Sequence, residues 1–194
     1  MASVDRRVGK TVKSIRNALI AELKVTDPEN ITVSNLCRSA DIGRGTFYTH
    51  YDGVHDVLQE IEDVFTQNIR DLCFEYFDAS EYHEKVSVFS KMLEYVKQNE
   101  DTFYVFLYHP GSAFSERIEK QIYELFYYHD LKYRPGVDEV SVRFGVTAAI
   151  CAAMGVIRSW FAGKMTEDVN SVAAAVAEYT GSIIERSSTT GGVI

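Results

Sequence analysis

The chain is poor in residues that break helices or cross-link the chain, and it lacks recognisable catalytic motifs. Three prolines occur in 194 residues, at 28, 110 and 135, so long helices can run unbroken between them. The three cysteines, Cys37, Cys73 and Cys151, are odd in number, widely spaced and flanked by apolar residues. That pattern argues against a disulfide framework and reads as reduced, partly buried thiols in a cytoplasm. There is no Cys-x-x-Cys pair, no His/Glu pair at zinc-protease spacing and no phosphate-binding glycine loop. No metal, cofactor or enzyme chemistry is therefore expected. No run of about 18 apolar residues suggests a membrane span. The start, Met1 to Arg7, lacks the apolar centre of a secretion signal. No strand-like alternation persists, and no internal repeat is visible.

Helical periodicity fills the space left by these absences. Hydrophobic residues make up 46% and charged residues 25%, enough for a real core. Val12, Ile15, Leu19 and Leu23 predict a helix over 10–24 with one buried face, preceded by a basic arm. Asp27-Pro28-Glu29-Asn30 is a turn. A long helix is expected over 53–77, then a polar connector from Asp78 to His83. Further helices are expected over 84–99, 101–108, 112–132, 138–162 and 167–186. Pro110-Gly111 and Pro135-Gly136 separate them, and the segment from Ser187 to Gly192 reads as disordered.

Net charge is −8, but it is unevenly spread. Residues 1–51 hold eight Lys/Arg and five Asp/Glu, a balance of +3, which leaves −11 for the rest. A basic head on an acidic body directs a polyanion to the head.

The head carries the most informative segment, 31–51. Thr32 stands at a helix N-cap before Val33, Leu36 and Ala40 on one face. Asp41 tolerates the left-handed turn that a second short helix would need, and Ile42 plugs that turn. The second helix offers polar side chains to a partner. Thr32 and Ser34, at a helix start, can hold a phosphate. Arg44 suits phosphate or guanine, and Gly45 lets a backbone approach. Thr46, Tyr48, Thr49 and His50 suit phosphate oxygens or a thymine methyl.

Ile15, Ile31-Thr32-Val33, Leu36, Ala40, Ile42, Arg44-Gly45-Thr46-Phe47-Tyr48-Thr49-His50-Tyr51 and Leu58 together resemble the N-terminal domain of the TetR family of bacterial transcription regulators. The Gly-Thr-Phe-Tyr-x-His-Tyr string carries most of that resemblance. It implies an all-α fold of about nine helices. A three-helix helix-turn-helix DNA-binding head would occupy 1–52. A connecting helix and a ligand-binding and dimerisation body would occupy 53–187, with a flexible tail over 188–194. By the same resemblance Thr32, Arg44, Gly45, Thr46, Tyr48, Thr49 and His50 face DNA, while Phe47 and Tyr51 are head core. One departure stands out. Val54, followed by His55 and Asp56, occupies the position where the family usually has a phosphate-binding lysine, so DNA affinity leans on Arg6, Arg7, Lys10 and Lys13.

The body reads as two parts. Residues 76–133 hold 15 of the 24 aromatics, too many to ignore as either a solid core or a pocket. Phe89, Tyr95, Phe103, Tyr104, Tyr123, Phe126 and Tyr127 are the pocket candidates for a small apolar or aromatic ligand. Residues 142–161 are apolar nearly all round, so burial on most sides is expected. With the last helix they form a dimer surface whose candidates are Ala149, Ala152, Val156, Val176, Tyr179 and Ile183. The Gly155–Gly163 pattern resembles a branch of the family whose body type is frequent in Gram-positive bacteria.

The expected protein is a cytoplasmic homodimer that binds a palindromic double-stranded DNA operator, represses transcription and responds to a small molecule. No membrane role is expected. Two alternatives stay open: a regulator working through a protein partner, and a structural helical protein whose head has lost DNA binding.

Overall fold

The computed structural model describes residues 2–108, 114–133 and 138–189; Pro110-Gly111, Pro135-Gly136, His109 and residues 190–194 lie outside them. Among the described residues there are nine α-helices and one short 3-10 turn, with no strand. The chain divides into two compact units, 1–68 with 99–115, and 69–98 with 116–194.

In the first unit, α1 (Ala2–Leu23) begins well before residue 10, so the basic arm belongs to a helix. Gly9 is its one residue of poor helix propensity, which a long helix tolerates. Ile15, Leu19 and Leu23 recur every four residues, are at most 1% exposed, and fix its buried side. The 3-10 turn at Pro28–Asn30 leads to α2 (Val33–Ser39). Thr32 caps α2 by accepting the Asn35 N–H at 3.2 Å. Asp41 takes the left-handed turn at φ 54°, and α3 (Arg44–Tyr48) follows. Five residues cannot hold a helix alone. Phe47 anchors it at 0% exposure, its ring 5.8 Å from that of buried Tyr51.

The next helix, α4 (Val54–Asp78), carries Glu60 to the head. Arg16 donates two bonds to that carboxylate, at 3.1 and 2.6 Å, and the Tyr51 hydroxyl also donates to it. Three elements are thus tied at one half-buried carboxylate. The Arg16 guanidinium holds Glu60 below the ordinary carboxylate pKa, and burial pushes Tyr51 up to about 12. The unit also takes in α6 (Glu100–Tyr108), whose Phe103 and Phe106 rings lie 6.2 and 5.6 Å from Phe65.

The second unit contains α5 (Tyr82–Gln98), α7 (Phe114–Tyr133), α8 (Glu139–Ala162) and α9 (Val169–Thr189). α9 continues through Ser187 and Ser188 to Thr189, so those residues are helical rather than a loose tail. Carboxylates start three of these helices. Glu84 accepts the Ser80 and Glu81 N–H groups before α5, Asp138 that of Ser141, and Asp168 that of Ser171. α8 packs along α9, and α5 packs on α9. Leu93, Trp160, Met165, Val172 and Ala173 form the core between them.

Within one chain the burial of α8 is one-sided, with Val142, Gly145, Val146, Ala149 and Trp160 covered. Only 22% of its most apolar 18-residue window is buried. By length and composition this helix could also cross a membrane, which the reading of short apolar runs missed.

Candidate nucleic-acid interface

The outward side of α3 is built by the anchoring of its inward side. With Phe47 buried, Arg44, Gly45, Thr46, Tyr48 and Thr49 are all exposed, Tyr48 at 56%. The Tyr48 ring packs edge-on against Phe47 at 5.5 Å, which orients its hydroxyl away from the core. Thr49 donates to the Thr46 carbonyl at 2.6 Å. Arg44 donates to the Ser34 hydroxyl, bridging α2 and α3. Thr32 is exposed, whereas Ser34 and His50 are half-buried. Ser34 is thus already engaged by Arg44 in the free chain, and its role as a direct phosphate contact requires exchange of that bond. A Cβ added at Gly45 would meet nothing within 4 Å, so packing inside the chain does not demand a glycine there.

The arrangement presents a guanidinium, hydroxyls and a phenol on one short helix, suited to phosphate oxygens and base edges. The start of α4 carries no Lys or Arg; Val54, His55 and Asp56 stand there. The Asp56 carboxylate accepts the Asp52 N–H at 2.9 Å and closes that end. Lys10, Lys13 and Arg7 are exposed along α1, and the Arg6 side chain lies outside the described residues.

The pocket candidates fall in both units. Phe103 and Tyr104 belong to the first unit, where Phe103 is buried on Phe65 and Tyr104 is 44% exposed. Phe89, Tyr95, Tyr123, Phe126 and Tyr127 are half-buried in the second. There Phe126 lies 5.5 Å from Tyr76 and 4.7 Å from Phe77, and His129 stacks on Phe77 at 4.0 Å. Tyr76 also lies 5.4 Å from Phe89 and under the Lys85 ammonium. Tyr127 donates to Glu139 at 2.5 Å, which raises its pKa to about 12. Among the described residues no three His, Cys, Asp or Glu side chains gather as a metal site.

The dimer candidates also separate. Ala149 and Val176 are buried by their own chain, at 7% and 1% exposure. Ala152, Val156 and Ile183 are half-buried, and Tyr179 is exposed. Val140, Phe144, Ala148, Cys151 and Gly155, none of them among the dimer candidates, are exposed on α8. Their steps of three, four and seven were a legible signal. What hid them was that the opposite side of the helix is apolar too.

Residues 83–180 match the family profile described as transcriptional regulator C-terminal region (TetR_C_8). The chain belongs to the TetR family. Membership makes it a transcription regulator rather than an enzyme. The profile spans all of α8, which identifies that helix as part of the regulator body.

Solved structures give the same fold over most of the length. A protein of Syntrophomonas wolfei described as a TetR-family transcriptional regulator aligns with TM-score 0.65 and 16% identity, over 93% of this chain and 96% of its own. The fatty acid degradation regulator FadR of Bacillus halodurans aligns with TM-score 0.64 and 12% identity, over 88% and 94%. A TetR transcriptional regulator of Streptococcus agalactiae aligns with TM-score 0.56 and 23% identity, over 93% and 99%. At these identities the likeness is one of fold. No curated protein sequence matches the chain.

Proposed function

We propose that this TetR-family regulator is a ligand-responsive repressor, acting in the cytoplasm as a homodimer on a palindromic operator. The observation that carries the reading is the outward face of α3, where Arg44, Gly45, Thr46, Tyr48 and Thr49 are exposed around a single buried anchor. Residues 1–52 form the DNA-binding domain, with Thr32, Ser34 and His50 completing the contact set. Residues 53–187 bind ligand and dimerise. In a homodimer the two recognition helices enter successive major grooves about 34 Å apart. A ligand that prefers a different spacing of the two heads would release the operator by shifting the population. The half-buried aromatics Phe89, Tyr123, Phe126 and Tyr127 suit a small apolar or aromatic inducer.

The test is a filter-binding titration on the DNA upstream of the protein's own gene, repeated across salt. With roughly six phosphate contacts per dimer, affinity falls about a thousandfold between 50 and 200 mM salt. A flat salt response, or no preference over unrelated DNA, would overturn the DNA-binding reading. A thermal-shift screen of apolar and aromatic compounds then tests the inducer. Compounds that raise the melting temperature and release the operator support it, and a screen without any such compound counts against it.

A further inference from the structure

The hydroxyl of Tyr51 does something that packing does not need. The Tyr51 ring is 8% exposed and lies 5.8 Å from the Phe47 ring, a place that phenylalanine would fill as well. The hydroxyl instead donates to Glu60 Oε2. Arg16 grips both oxygens of the same carboxylate, Nε at 3.1 Å from Oε2 and Nη2 at 2.6 Å from Oε1. A carboxylate held by that fork keeps one geometry and serves as a fixed point. The Arg16–Glu60 pair alone would join α1 to α4, and only the third bond reaches the end of α3.

Two side chains hold the inward side of this helix. Phe47 and Tyr51 stand four residues apart, and the Tyr51 N–H donates to the Phe47 carbonyl at 3.1 Å. The apolar contact of Phe47 has no preferred direction, so it holds α3 down without fixing its rotation. The hydrogen bond of Tyr51 is directional. At a side-chain radius of about 5–6 Å, a rotation of about 20° moves a side-chain tip by about 2 Å. A hydrogen bond to a base edge does not survive that displacement. Attraction to phosphates, which acts through charge, is far less sensitive to it.

We infer that Glu60 is a positioning residue: acting through the Tyr51 hydroxyl, it fixes the rotation of α3 and so sets how sharply the protein tells its operator from other DNA. This rests on the DNA-binding reading and adds to it a specificity-determining residue outside the contact set. His50, a member of that set, precedes Tyr51 in the chain, and its ring lies 6.5 Å from the Tyr51 ring. A shift of Tyr51 therefore carries a contact residue with it.

The test uses the full-length chain, well below its melting temperature and at one salt concentration. Affinity is measured for the DNA upstream of the protein's own gene and for an unrelated duplex. Tyr51→Phe removes only the hydroxyl. It lowers the ratio of the two affinities about tenfold, the size of one weakened base contact, and leaves binding to the unrelated duplex as it was. Glu60→Ala lowers the ratio by the same factor, and the double variant loses no more than either single one, because both remove one bond. Glu60→Gln, whose amide oxygen still accepts from Tyr51, recovers most of the loss. An unchanged ratio in Tyr51→Phe, or losses that add in the double variant, overturns the positioning role and leaves the DNA-binding reading standing. An equal fall on both duplexes also overturns it, since that marks a loss of folded protein. A native chain with no preference between the duplexes overturns both.

Discussion

The outward sides of α3 and α8 are both exposed, yet they ask for opposite surroundings. α3 is five residues long, holds on by one buried ring and turns a guanidinium, hydroxyls and a phenol outward. α8 is 24 residues long and turns Val140, Phe144 and a run of small residues outward. Water satisfies the α3 groups, so that face can stand open. Water does not satisfy the α8 side, so leaving it open is unfavourable. Exposure alone therefore says little, and the chemistry exposed separates a face that water satisfies from one that it does not.

Five substitutions test that contrast. The largest effect is expected from Phe47→Ala, which removes the anchor of α3 and costs about 3–5 kcal/mol. Thermal melts followed by circular dichroism should show it, together with loss of operator binding; an unchanged melt would mean the anchor is elsewhere. Next comes the pair Ala149→Asp and Ala148→Asp, adjacent residues on opposite sides of the α8 exposure boundary. Ala149 is 7% exposed within one chain, so its charge should destabilise the fold itself by about 3 kcal/mol. Ala148 is exposed, so its charge should leave the helical signal intact and shift sedimentation from dimer to monomer. Equal behaviour of the two would erase the distinction drawn between the sides of this helix.

Tyr48→Ala should weaken operator binding by about 1–2 kcal/mol, the size of a lost hydrogen bond to a charged phosphate, without changing the melt. A stability loss instead would place Tyr48 with Phe47 in the core. The smallest effect is expected from Glu60→Gln. Glu60 is half-exposed, so the bond to Arg16 is discounted for solvent screening to about 1 kcal/mol. Its carboxyl is held below the usual carboxylate pKa in the fold. The stability it adds is therefore complete at neutral pH and is lost as pH falls through that lowered pKa. Melts of both proteins from neutral to acid pH should converge at the acid end. Parallel curves would remove the Arg16–Glu60 contact from the account.

The head was legible in the sequence because its signals are local. Thr32 at the cap, Asp41 in the left-handed turn and Phe47 four residues before Tyr51 each specify their own geometry. The body was less legible because its signals depend on what lies opposite. Ala148 and Ala149 are the same residue type, and only packing against the rest of the chain tells which is covered. Phe103 and Tyr104 are near the other aromatics in sequence but belong to the unit that contains the head helices. The start of α1 at Ala2 was missed because Gly9 reads as a break, and a single glycine is too weak to end a helix.

The turn between α8 and α9 constrains how this protein can vary in length. Lys164 and Met165 both adopt left-handed backbone, at φ 60° and 52°, although neither is glycine. Each such residue is unfavourable by about 1–2 kcal/mol, which the burial of Met165 beside Trp160 and the Trp160 bond to the Glu167 carbonyl help offset. A single residue inserted here would rotate α9 by about 100° about its axis, carrying Ala173 and Val176 off their buried line. This short turn thus acts as a length gauge for the hairpin, and insertions and deletions should accumulate at the Ala79–Glu81 junction rather than at residues 163–168.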